Sequence, residues 1–111
     1  FTLIAYPAGS RISITAVDAG TSWAATPGSG DVLSGLAGAR MAFRYVSGRR
    51  AMPHLSGKGD FLPCYFALAE AVQVHGVAAW LSAQTPDGAA ATSASRIAKY
   101  IPRATARLTV R

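Results

Sequence analysis

Thr26-Pro27-Gly28-Ser29-Gly30-Asp31-Val32-Leu33-Ser34-Gly35 marks a change of period along the chain. From Asp31 onward Val32, Leu33, Leu36 and Phe43 recur at helical spacing. The segment before it is read as a short strand over Thr21 to Thr26, ended by Pro27. Two glycines one residue apart open backbone torsions closed to other residues, so successive N–H groups can turn into one concavity. A helix starting there adds its free N–H groups and dipole, which favour an anion by roughly 0.3–1 kcal/mol at an exposed site. Phosphate is the natural occupant, with Gly28, Ser29 and Gly30 supplying the amides. Asp31 reads in two ways. It is either a carboxylate satisfying first-turn amides, or a base held where a substrate hydroxyl attacks phosphorus.

Working outward, Phe1 to Tyr6 is an apolar run ended by the turn cluster Pro7-Ala8-Gly9-Ser10. Arg11 to Ala16 then alternates polar and apolar, so the two runs read as a hairpin or as neighbouring edge strands. Asp18-Ala19-Gly20 makes a further turn. The helix from Asp31 is expected to run to about Val46, where Ser47-Gly48 stops it, with Arg40 and Arg44 on one face. Residues 47–61 read as an exposed basic loop. Leu62-Pro63 opens a second helix, apolar almost all round from Phe66 to Leu81, and such a helix is buried between layers. Thr85 to Ala91 is a turn-rich loop; Thr92 or Ser93 caps a third helix, Ala94 to Tyr100, ended by Pro102. The expected class is α/β: short edge strands followed by three helices, in one partial domain over residues 1–111.

The composition is lopsided. Half of the 111 residues are apolar and only 14% are charged, against about 25% in a typical domain. Some of that apolar surface is expected to pack on another subunit or on the remainder of a longer chain, and Phe1 without a preceding Met agrees with a partial protein. The net charge of +6 comes from a block between Arg40 and Lys58 and a tail from Arg96 to Arg111. Both read first as solvated faces, with Arg49, Arg50 and Lys58 able to reach a phosphate or a partner subunit. The single Cys64 excludes an internal disulfide and fits a reducing cytoplasm. No signal peptide is recognisable. The longest apolar run is broken by Glu70, Gln73 and His75, so no membrane span is expected.

Rival motifs fail. After Gly57-Lys58 stands Gly59, where a P-loop needs Ser or Thr. His54, Cys64 and His75 lack a metal-ligand spacing. Ser29 and Ser34 do not sit in a Gly-x-Ser-x-Gly elbow, and no basic stretch interleaved with aromatics points to nucleic acid.

The stretch from Thr26 to Gly35 resembles the Gly-x-Gly-Asp motif of the ribokinase-like superfamily, and more narrowly that of the NAD(P)H-hydrate dehydratases, in its Gly-Asp-Val-Leu continuation. Ala71-Val72-Gln73-Val74-His75-Gly76-Val77-Ala78-Ala79 resembles the family's buried His-Gly helix, and Thr92-Ser93-Ala94-Ser95 with Ile101-Pro102 its closing helix. The likeness covers about residues 20–46 and 66–108 in the right order. It departs in the long basic loop at 47–61, and at Ser95, where Asp is common.

The resemblance implies the C-terminal third of a three-layer α/β/α enzyme that repairs hydrated NADH or NADPH (NAD(P)HX), a carbon-oxygen lyase. It implies a nucleoside di- or triphosphate that phosphorylates the ring hydroxyl, after which phosphate leaves. ADP is the expected donor, since the Ala- and Arg-rich composition suits a high-GC bacterium; ATP is the alternative, and Mg2+ accompanies either. Asp31 would be the base facing the hydrated ring and Gly30 would lie against the nucleotide. His75 reads first as a buried imidazole bonded to backbone; with Gly76 it is otherwise a nucleotide edge. The implied protein is cytoplasmic and a homo-oligomer, with no nucleic-acid partner. This piece by itself is expected to be inactive. Two other readings stay open: a superfamily kinase for a vitamin or sugar alcohol, which shares Asp31 and the amide site, and a basic, non-enzymatic binding module resting on the Arg40–Lys58 block.

Overall fold

The computed structural model describes residues 1–51 and 61–109. In chain order the elements are β1 (Thr2–Ala8), β2 (Arg11–Val17), α1 (Ser29–Ala51), α2 (Phe61–Ala83), the two-residue strands β3 (Gln84–Thr85) and β4 (Gly88–Ala89), and α3 (Ala94–Thr109). The first two strands pair antiparallel from Thr2 opposite Val17 to Ala8 opposite Arg11, so the expected hairpin is present. Gly9 takes a φ of 65° in its turn, a torsion that a Cβ makes costly.

Strand alternation gives the hairpin two faces. Ile4 and Val17 bury against Val72 of α2, and Tyr6 meets Tyr65 with ring centroids 5.0 Å apart. Leu3, Ile12 and Ile14 point the other way and are exposed. A sheet that is apolar on both faces is the pattern of a middle layer.

Helix α2 is central, touching α1, α3 and both long strands. Ala67, Ala71, Ala78, Ala79 and Ala83 are buried along it, and their short side chains let neighbours approach from several directions. Partners on several sides widen its apolar surface, although Phe66, Gln73 and Trp80 remain exposed. Among the described residues it is the one helix long and apolar enough to cross a membrane, over Cys64–Ala83. Half of that span is buried against the rest of the protein. A second cluster joins Val74, Ala78 and Ala79 of α2 to Ile97 and Ala104 of α3, with Val32 and Leu36 of α1 against it.

Three expectations about boundaries are corrected. Residues 21–26 form turns rather than a strand: Ala25 N–H donates to the Ser22 carbonyl at 2.9 Å and Trp23 N–H to Thr21 Oγ1 at 3.2 Å. Their own hydroxyls compete for the backbone. Helix α1 runs through Ser47-Gly48 to Ala51; a Gly costs a helix only about 1 kcal/mol, too little by itself to end one. The exposed loop therefore does not begin at residue 47, and residues 52–60 lie outside the described residues. Helix α3 passes through Pro102 to Thr109. A mid-helix Pro costs about 3 kcal/mol, but Ala104 is buried and Ile101 and Leu108 pack on the core beside it. The expected loop after α2 carries the short β3–β4 ladder, and Ser93 is the cap of α3, accepting from Arg96 N–H at 3.3 Å.

Arg40 and Arg44 do share a face, and both meet Glu70 of α2, Arg40 at 3.5 Å. Arg40 also donates from Nη2 to Thr105 Oγ1 at 3.1 Å, tying α1 to α3. These two members of the basic block are thus engaged inside the helix layer.

Candidate functional site

The turn before α1 is built from local hydrogen bonds. Gly20 N–H donates to Asp18 Oδ1 at 2.8 Å, and Ser29 N–H to the Thr26 carbonyl at 3.1 Å. Gly28 has a φ of 82°, and its carbonyl accepts from the N–H groups of Asp31 (3.1 Å) and Val32 (3.3 Å), which makes it the cap of α1. A Cβ on Gly28 would stand 3.1 Å from Ala94 Cβ, so the starts of α1 and α3 lie side by side. Thr26 Oγ1 strengthens the junction by donating to the Thr92 carbonyl at 3.3 Å. Thr92 in turn bonds Ser82 at 2.7 Å, and Arg96 donates to the Ser82 carbonyl at 3.0 Å. The end of α2 and the start of α3 are therefore held to the turn.

Within it the residues divide by exposure. Ser29 is buried, whereas Gly30 and Asp31 are exposed. Gly30 has open space where a Cβ would be. Of the three amides expected to face an anion, that of Ser29 is occupied by Thr26. The Asp31 carboxylate accepts no hydrogen bond and makes no ion pair among the described residues, so it does not cap the first-turn amides. It stands in the first turn of α1, where the dipole favours negative charge. A cavity of about 350 Å³ among Arg40, Glu70, Gln73 and Thr105 is lined by none of the turn residues.

His75 is buried, as its first reading expects, and its Nε2 lies 3.0 Å from the Ser29 carbonyl and 3.1 Å from Ser29 Oγ. A spacing of 46 positions hides this partnership from the sequence; only the choice of His inside an apolar helix hints that it has a polar partner. Gly76, beside it, explains itself sterically: a Cβ there would fall 2.4 Å from the Ala19 carbonyl oxygen. The backbone of the 18–20 turn lies directly on α2.

Burial holds the His75 pKa below its usual 6.5, against the opposing effect of the Ser29 backbone bond. The fold thus favours the neutral ring. Because the folded value is depressed, this contribution is full above about pH 6.5 and is lost as pH falls toward the folded value. The denaturation midpoint of the full-length parent should drop as pH falls below about 6.5, and His75→Gln should flatten that slope. Equal slopes in the two proteins would contradict the assignment.

The family model of NAD(P)H-hydrate dehydratase matches residues 1–103. The bifunctional NAD(P)H-hydrate repair enzyme Nnr of Corynebacterium glutamicum is 46% identical over 103 residues, covering 86% of this chain and 17% of the relative. The protein of the same name from Mycobacterium leprae is 44% identical over 108 residues, covering 96% of this chain and 19% of the relative. The chain thus spans less than a fifth of the length of these relatives. No solved structure matches it. With the glycine turn, the exposed Asp31 and the buried His-Gly pair all inside the matched span, the chain belongs to the NAD(P)H-hydrate dehydratase family.

Proposed function

We propose that this chain carries the phosphate turn and catalytic carboxylate of a nucleotide-dependent NAD(P)H-hydrate dehydratase. The observation that carries the reading is Asp31: an exposed carboxylate in the first turn of a helix, with no partner among the described residues, next to an open Gly30. A first-turn carboxylate without a capping role is free to act as a base. Asp31 takes the proton of the ring hydroxyl as its oxygen attacks the terminal phosphorus of ADP or, as the alternative, ATP; the bond from that phosphorus to the rest of the nucleotide breaks. Phosphate then leaves the ring carbon with the C–O electron pair, the adjacent ring carbon gives up a proton to solvent, and the C=C bond of the dihydronicotinamide is restored. The amides of Gly28 and Gly30 and the free N–H groups at the start of α1 would stabilise the phosphoryl charge.

Among the described residues no group of three or more His, Cys, Asp or Glu could hold a metal. A Mg2+ ion would be held chiefly by the nucleotide phosphates, as Mg2+ commonly is. The exposed Leu3, Ile12 and Ile14 fit a face covered by the remainder of a longer chain, and the lone Cys64 fits a reducing cytoplasm.

The test uses the full-length parent protein with hydrated NADH, supplying ADP and ATP separately and following NADH absorbance. Recovery with one nucleotide supports the reading and names the donor. No recovery with either, alongside intact nucleotide binding, moves the assignment to a superfamily small-molecule kinase.

A further inference from the structure

We infer that His75 is a positioning residue that clamps the first turn of α1 from its buried side and so aims Gly30 and Asp31 at the reacting groups. The chemistry of the contact fixes the ring's state. A carbonyl oxygen only accepts, so the Nε2 that lies 3.0 Å from the Ser29 carbonyl carries the hydrogen. Ser29 Oγ, at 3.1 Å, then shares the same N–H as a second acceptor. A neutral imidazole has one N–H to give, and here it is given to Ser29. Ser29 is the first residue of α1, so its two neighbours in sequence, Gly30 and Asp31, are carried on a peptide held from beneath.

The neighbouring residue shows why the clamp reaches. Gly76 lets the Ala19 carbonyl rest against α2, and Ala19 belongs to the segment leading into the turn. His75 and Gly76 thus act on the same loop, one through space left empty and the other through a hydrogen bond. An apolar side chain of similar size at position 75 would fill the volume, yet it would leave Ser29 Oγ buried without its partner. The turn is otherwise held by backbone bonds to Thr26 and Gly28 and by the Thr26–Thr92 link. Among the described residues, His75 is the side chain that reaches Ser29 from the core.

The kinetic half of this inference rests on the dehydratase reading, while the structural half does not, and the experiment separates them. In the full-length parent with 15N-labelled histidine, long-range 1H–15N correlation at neutral pH should show His75 as the neutral Nε2–H tautomer. A charged ring or an Nδ1–H tautomer overturns the clamp, whatever the enzyme does. Turnover of hydrated NADH is then compared among wild type, His75→Leu and His75→Gln, per folded molecule. The Leu variant should lose about a hundredfold in kcat, the effect of misplacing reacting groups by about 1 Å, with KM for hydrated NADH changed by less than about threefold. The Gln variant, which restores an N–H donor, should recover at least about tenfold of that loss.

A role in packing alone would lower the melting temperature and leave kcat of the folded protein untouched, which overturns the proposal. Should the Leu variant not fold, the tautomer and the pair of wild type and Gln decide: Gln falling to background turnover with a native melting temperature overturns it. A wild type without turnover on either nucleotide sinks the dehydratase reading, and the tautomer measurement still decides the clamp.

Discussion

Asp31→Asn in the full-length parent is expected to fold, to bind nucleotide as the wild type does, and to lose about 10²–10⁴-fold in turnover. The size follows from removing a general base while keeping its shape. The small structural effect follows from what Asp31 does not do. It is exposed and accepts no hydrogen bond among the described residues, so the amide leaves no donor unpaired. What stability it supplies comes through the dipole of α1, roughly 0.3–1 kcal/mol, part of which a neutral Asn forfeits. The melting temperature, the nucleotide dissociation constant and kcat together check this. Turnover at the wild-type rate removes Asp31 from the chemistry.

Gly76→Ala should destabilise the protein, although the same change in most helices does the opposite. Replacing a helical Gly by Ala ordinarily gains about 1 kcal/mol. At position 76 the added methyl would lie 2.4 Å from the Ala19 oxygen and 3.0 Å from Ala19 Cβ. The nearest obstacle is backbone, which cannot rotate aside as a flexible side chain can. Overpacking of this kind costs about 1–3 kcal/mol, so the net result is a loss unless the 18–20 turn moves. If the turn does move, it shifts the segment feeding the phosphate turn, and turnover should fall along with stability. Gly38→Ala is the control, because a Cβ there meets nothing within 4 Å. It should be neutral or gain up to about 1 kcal/mol by the same scale. Chemical denaturation of both variants checks the pair, and equal effects at the two sites would refute the steric account.

The sequence was most informative where a local pattern sufficed. Alternation over Arg11–Val17, the Pro-Gly turn before it, and the unbroken apolarity of α2 each predicted an element that is present. It misled where a local signal met a tertiary one. Ser47-Gly48 and Pro102 are stop signals by propensity, and α1 and α3 continue past them, α3 because its later residues are packed. Thr21 to Thr26 is read as a strand, yet Thr21 Oγ1 and the carbonyls of Ser22, Ala24 and Thr26 close turns instead. The same division holds at the site. The glycine turn and the helix start that follows it were legible because the pattern lies within six consecutive residues. The ring of His75 beneath Ser29, and Glu70 between two arginines, join positions far apart, and no spacing rule encodes such pairings.

The hairpin carries a consequence for length rather than composition. Its seven couples, from Thr2 with Val17 to Ala8 with Arg11, alternate strictly between the side that meets α2 and the side that does not. One residue gained or lost within either strand would exchange the two sides beyond that point, sending Val17 outward and Ala16 inward. Since Ile4 and Val17 seat on Val72, that exchange would unseat the sheet from the helix layer unless a bulge absorbed the odd residue. Insertions and deletions in this part of the protein are therefore constrained by parity, while residues on the outward side can change type without disturbing the contact with α2.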